Sequence, residues 1–185
     1  FLRPLGLRLP GVVGFGGIGT EVAKRAVPFG MKVIYFCRHP NPADDAAYGV
    51  QSVSMEELLK ESDYVVAAVP LTDQTFHLFN EECIAQMKAG SVLINIARGP
   101  VVDEEALAQA LASGHLGGCA VDVFPKEPCT DSVLTRYSNA LLTPHSATST
   151  AENSKATNFA AANNLVNYLK KDIDAKYVVV QGTRY

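Results

Sequence analysis

The sequence predicts an α/β fold, a doubly wound parallel sheet with helices on both faces. Three observations carry that prediction. Short apolar runs alternate with helix-like amphipathic stretches along nearly the whole chain, the pattern of strands and helices taking turns. The apolar runs are of strand length and read as buried, which implies a parallel sheet covered on both faces. Finally, Gly14-Phe15-Gly16-Gly17-Ile18-Gly19 stands between an apolar run and a helix-like run. In that setting the first glycine permits a tight turn, the second lets a pyrophosphate approach bare backbone, and the third lets the helix pack on the strand. This is the logic of a Rossmann-type dinucleotide-binding unit, with the phosphates on free N–H groups at a positive helix end.

Composition bounds the function. With 185 residues, 48% hydrophobic and 19% charged, the chain is long enough for one domain with a sizeable core. The formal net charge is −3 and Lys and Arg are scattered, so the basic stripe that nucleic-acid binding needs is missing. No apolar run approaches the roughly 20 residues of a membrane-spanning helix, and the N-terminus lacks the apolar core of a signal peptide. A cytoplasmic protein without a membrane or nucleic-acid partner is expected. Cys37, Cys83, Cys119 and Cys129 lie far apart with no C-x-x-C pair, so reduced thiols are expected, and neither a disulfide framework nor a metal site. The chain opens on Phe1 without an initiator Met, as a fragment of a longer protein would.

In chain order, residues 9–13 must form the first strand if the glycine loop is real, yet Pro10 cannot donate to a ladder, which conflicts with a central position and leaves the register open. From Ile18, Val22, Ala23, Ala26 and Val27 recur at helical spacing until Pro28 and Gly30, and residues 31–36 form the next strand. Ser54-Met55-Glu56-Glu57 is a capping box that opens a short helix to about Lys60. A third strand at 64–69 is ended by Pro70. A helix at 81–87, a strand at 91–96, a helix at 103–113 stopped by Gly114 and a strand at 118–123 continue the alternation. Residues 123–139 form a long connection of the kind that often carries function, and residues 140–142 a last short strand. Ser149-Thr150-Ala151-Glu152 reads as a capping box for a helix to about Lys171. Its Phe159, Ala162, Val166 and Leu169 share one face, read as core or subunit contact. Residues 177–180 form an apolar, strand-like tail. No linker divides the chain, so residues 1–185 are read as a single dinucleotide-binding domain with its core at about 9–147 and a C-terminal helix and tail at 149–185.

Open parallel sheets bind ligands beyond the carboxyl ends of their strands. Among the residues that fall there, Arg98, Glu127 and His145 can do chemistry together. A histidine beside a carboxylate is a tunable proton donor near neutral pH, and an arginine offers a forked donor pair to a substrate carboxylate. The loop at 37–42 is where specificity should lie. His77 and His115, in a loop and at a helix end, read as solvated or capping and receive no role; His39 receives only a phosphate contact.

The strings NIARGPVVDE at 95–104, SGHLGGCAVDVFPKEP at 113–128 and LTPHSA at 142–147, taken with the glycine loop, resemble the D-isomer-specific 2-hydroxyacid dehydrogenases, specifically their nucleotide-binding domain. The resemblance implies an NAD(P)-dependent enzyme that moves a hydride between a nicotinamide and a small 2-oxo or 2-hydroxy acid such as glyoxylate or hydroxypyruvate, working as a homodimer. It implies that Arg98 binds the substrate's carboxylate and keto oxygen, that His145 is the acid/base, and that Glu127 holds the histidine and raises its pKa. It further implies that Asp122 holds the nicotinamide carboxamide, and that Val69, Pro70, Ile96 and Ala97 line the cofactor groove, with Ser146 beside them. The same family fold includes corepressors that only sense dinucleotides, which is the alternative reading.

The chain departs from the family pattern in informative ways. At the end of the second strand Cys37 stands where an acidic residue would bond the ribose 2′-hydroxyl, followed by Arg38 and His39. Removing a carboxylate removes a repulsion against a 2′-phosphate, and a guanidinium can bond that phosphate bidentately, so NADP is expected to be preferred over NAD. Family members also carry an N-terminal segment that builds most of the substrate domain, and these 185 residues do not include it. If they were the entire polypeptide, the substrate cleft would stay open on one side and turnover would be weak or absent.

Overall fold

The computed structural model describes residues 4–172 and residue 174; the strand-like tail expected at 177–180 lies outside the described residues. The chain divides into two units, one ending at His145 and the other beginning at Ser146. The first holds a seven-stranded sheet of order β3-β2-β1-β4-β5-β6-β7, made of β1 (Pro10–Val13), β2 (Val33–Phe36), β3 (Val50–Ser52), β4 (Tyr64–Ala67), β5 (Val92–Asn95), β6 (Gly118–Val121) and β7 (Ala140–Leu142). Every neighbouring pair is parallel.

Parallel neighbours need crossovers, and five helices supply them in this unit: α1 (Gly17–Ala26), α2 (Pro42–Tyr48), α3 (Met55–Glu61), α4 (Glu81–Ala85) and α5 (Glu104–Ala112). Successive strand residues feed opposite faces. Val12, Val33 and Tyr35 pack with Ala23 of α1, whereas Val13 and Ile34 join Leu58 of α3, Ile84 of α4 and Leu107 of α5. The sheet is therefore wound on both faces, as the sequence predicts. The order in which successive strands are added reverses between β1 and β4, and this switch point is where an open α/β sheet presents its ligand crevice.

Some local expectations are corrected. Pro10 does not disturb the central strand, because it is the first residue of β1. Register with β4 starts there, at Tyr64, while register with β2 starts one residue later, at Gly11 with Ile34. The segment after β2 holds a short helix and a strand, α2 and β3, that the sequence reading passed over, so the expected third strand is the fourth. It ends at Ala67 rather than at 69. The connection at 123–139 includes a single 3-10 turn, Val133–Arg136.

The second unit holds α6 (Ala151–Leu169). Its cap is Thr150, whose hydroxyl accepts the Asn153 N–H at 3.1 Å, and not Ser149, whose own N–H is taken by the Ser146 carbonyl in the preceding turn. Nothing on α6 is buried, and Phe159, Val166 and Leu169 of the expected core face are exposed. Among the described residues no helix is long and apolar enough to cross a membrane.

Candidate active site

The glycine loop runs from the end of β1 into α1. Gly14 has φ +97°, and a Cβ there would sit 2.5 Å from the Ala68 carbonyl oxygen. A Cβ on Gly19 would collide with the Gly14 carbonyl oxygen, so this glycine lets α1 close down on the loop. Gly16 and Gly17 differ, because a Cβ on either meets nothing within 4 Å. No packing among the described residues calls for glycine there; an approaching ligand would. Asn41, Ser54, Asn80, Asp103 and Thr150 cap their helices with side chains. Among the described α-helices only α1 has no side-chain cap, so its first-turn N–H groups face outward at the positive end of the helix. These features fit a dinucleotide pyrophosphate.

Two clefts flank this loop. One, of about 410 Å³, is lined by Gly14, Gly16, Cys37, Arg38 and His39 together with Val69 and Pro70. The other, of about 520 Å³, is lined by Ile18, Val69, Pro70, Ile96, Ala97 and Arg98. Ala68, Val69 and Pro70 line both. The residues assigned to cofactor binding from sequence thus gather around the switch point, except Asp122 and Ser146. Asp122 is buried at the end of β6, where its carboxylate accepts the Thr143 hydroxyl; Ser146 opens the second unit.

Arg98, Glu127 and His145 lie beyond the ends of β5, β6 and β7, three neighbours in the sheet. His145 Nδ1 is 2.7 Å from Glu127 Oε2, and Glu127 Oε1 accepts the Phe124 N–H at 2.9 Å. The bond to His145, then the Phe124 amide, with the Arg98 charge adding to them, hold the Glu127 carboxyl below its ordinary pKa. His145 itself has φ +50°, a left-handed backbone uncommon outside glycine. Arg98 Nη1 donates to the Ala97 carbonyl at 2.7 Å.

Two residues that sequence reasoning missed hold this arrangement. Asn95, buried at the end of β5, accepts the Ala97 N–H and donates to the Arg98 carbonyl, both at 3.1 Å, and so cinches the turn that presents the arginine. Gly99 lies so close to the backbone of Phe124 and Pro125 that any Cβ would overlap it. The Arg98 turn therefore seats directly on the segment that carries Glu127. An asparagine two residues before an amide it can accept was the available signal for the first; nothing local announces the second. His77 Nδ1 lies 3.6 Å from Asp103, and His115 Nε2 meets the Ile84 carbonyl at 3.0 Å, both away from the Glu127–His145 pair.

A glycine loop at the switch point and a histidine–carboxylate pair on the same sheet edge define a dinucleotide-binding α/β domain of the oxidoreductase kind. The model of the D-isomer specific 2-hydroxyacid dehydrogenase NAD binding domain matches residues 6–147, and the chain belongs to that family. It is 41% identical over 168 residues to the glyoxylate reductase of Thermococcus litoralis, covering 91% of this chain and 51% of that protein. It is 45% identical over 146 residues to the hydroxypyruvate reductase of Thermotoga maritima, covering 77% and 46%. Among solved structures, a glyoxylate reductase from Paecilomyes thermophila superposes with a TM-score of 0.86 at 38% identity, covering 91% of this chain and 51% of that one. A D-lactate dehydrogenase from Aquifex aeolicus, complexed with NAD and lactic acid, gives 0.85 at 34% identity, covering 93% and 56%. The chain spans about half the length of these relatives.

Proposed function

We propose that this chain is the cofactor-binding portion of an NAD(P)-dependent D-2-hydroxyacid dehydrogenase acting on a small 2-oxo acid, in the manner of the glyoxylate and hydroxypyruvate reductases it is similar to. The observation that carries the proposal is the 2.7 Å pair of His145 and Glu127 with Arg98 in electrostatic reach. With Nδ1 committed to Glu127, proton exchange with the substrate oxygen falls to Nε2 of His145. Glu127 fixes the ring and balances its charge. The Arg98 guanidinium offers a fork to the substrate carboxylate and faces the negative charge that grows on the carbonyl oxygen. Gly14 to Gly19 would hold the pyrophosphate, with Val69, Pro70, Ile96 and Ala97 along the groove and Asp122 toward the nicotinamide end. The bound dinucleotide supplies the hydride donor or acceptor.

The cofactor is NADP(H) in preference to NAD(H). Support comes from the end of β2, where Cys37 and Arg38 line the cleft and no carboxylate stands to repel a 2′-phosphate. The relatives named above are reductases and a dehydrogenase, and the intact trio favours catalysis over dinucleotide sensing. The test follows NAD(P)H absorbance with the full-length protein and a panel of 2-oxo acids, beside titrations of both cofactors. Oxidation with glyoxylate or hydroxypyruvate is expected, and none with any 2-oxo acid would refute the enzyme. Tighter binding of NADH, or an Arg38→Ala variant that keeps its NADPH affinity, would refute the cofactor preference.

A further inference from the structure

We propose that Gln74 is a second specificity residue for the cofactor, acting with Arg38 as a clasp that selects the 2′-phosphate of NADP(H). The inference rests on the NADP(H) reading of Arg38. Arg38 follows β2 and Gln74 lies in the segment after β4, strands separated by β1, so the two belong to loops on opposite sides of the glycine loop. Across that gap Arg38 Nη1 donates to Gln74 Oε1 at 3.3 Å, and both line the 410 Å³ cleft.

Gln74 is presented by a braced turn. Thr75 Oγ1 donates to the Pro70 carbonyl at 2.6 Å and accepts the Thr72 N–H at 2.8 Å. Order in this turn reduces the entropy lost when its side chain engages a ligand. The chemistry of the partner matters as much as its position. An amide oxygen orients a guanidinium while leaving its charge uncancelled, and four of its five N–H donors remain for an anion. The amide also carries two N–H donors of its own, which a terminal rotation brings to the same phosphate. A carboxylate at position 74 would do the reverse: it would neutralise Arg38 and repel the incoming phosphate. NAD(H), with a hydroxyl at the 2′ position, is indifferent to most of this.

The experiment is equilibrium titration of NADPH and NADH, by nucleotide fluorescence, into the full-length protein and its Gln74→Ala, Gln74→Glu and Arg38→Ala variants. Gln74→Glu should weaken NADPH about tenfold or more and Gln74→Ala about three- to tenfold, with NADH within about twofold in both. Position 74 is exposed, so melting curves should superimpose on the parent's. If both substitutions weaken NADPH and NADH equally, Gln74 only shapes the cleft and the inference is overturned. If they change neither cofactor while Arg38→Ala still lowers NADPH affinity, the clasp is wrong and the Arg38 reading stands. If Arg38→Ala leaves the NADPH-to-NADH ratio unchanged, the underlying reading fails and the clasp fails with it.

Discussion

Glu127 grips His145 with one carboxylate oxygen, Oε2 to Nδ1 at 2.7 Å, while its other oxygen is pinned by the Phe124 amide at 2.9 Å. Both carboxylate oxygens are thus engaged, and the ring is oriented through Nδ1. The left-handed backbone at His145, φ +50°, is a strained geometry of the sort found where function fixes a residue, at a cost of about 1–3 kcal/mol. In the full-length protein Glu127→Gln removes the charge and leaves one acceptor oxygen where the carboxylate has two, which should lower kcat by roughly 10²-fold, within the range of general acid–base contributions. Cofactor dissociation constants should stay at the parent value, and a parallel loss in cofactor binding would contradict the assignment.

Acid titration reports the same pair. Because the folded-state pKa of Glu127 is depressed, the pairing is present above the ordinary carboxylate pKa and is lost as pH falls through the lower, folded value. Carbon-13 NMR of the Glu127 carboxyl should therefore show a midpoint below 4.5 in the parent. In His145→Ala the midpoint should move back up, since the histidine is the leading cause of the shift.

The glycines divide by substitution. Gly14→Ala meets both a positive φ and the Ala68 carbonyl, and should destabilise the fold by about 1–3 kcal/mol in denaturant titration. Gly16→Ala meets no protein atom, so the melting curve should not move while NADPH binding weakens by roughly tenfold or more. Equal stability losses in both variants would remove the ligand-based explanation of Gly16.

Thiol chemistry maps the cleft. Burial pushes Cys83 and Cys119 up to about 11, so iodoacetamide should spare them in the folded protein. Cys37 and Cys129 are only half-buried and should be alkylated first. Saturating NADPH should protect Cys37, which lines the cleft, and leave Cys129 reactive. Peptide mass mapping would detect the opposite order.

Asn95 is the polar residue whose loss should matter most near the site. Its bond from the Ala97 N–H is buried and its bond to the Arg98 carbonyl partly so, and Asn95→Ala should cost about 1–3 kcal/mol by leaving backbone groups unsatisfied. It should also raise KM for the 2-oxo acid through a misplaced Arg98.

Local pattern made the doubly wound architecture legible, because the buried strands are largely apolar runs that alternate with helical spacing. It failed where elements are too short to show a period. β3 has three residues and α2 has seven with none buried, although Asn41 followed by Pro42 is a cap with proline at the first helical position. Arg98, Glu127 and His145 could be named as chemically able residues, but their meeting depends on β5, β6 and β7 being neighbours. The Arg38–Gln74 bond spans 36 residues and two loops, and only the placement of β1 between β2 and β4 creates it. Gly99 is the hardest to foresee, since its neighbours are the backbone of Phe124 and Pro125.

The missing side-chain cap on α1 would make a bound dinucleotide a participant in folding. Every other described α-helix has a side-chain cap from its own sequence; at α1 a phosphate supplied from outside would take that place. Ligand and tertiary structure are then one thermodynamic system, and at a hundred times the dissociation constant the cofactor adds about 2.7 kcal/mol to the stability of the domain. Cellular nucleotide supply would set how long the polypeptide survives as well as how fast it turns over.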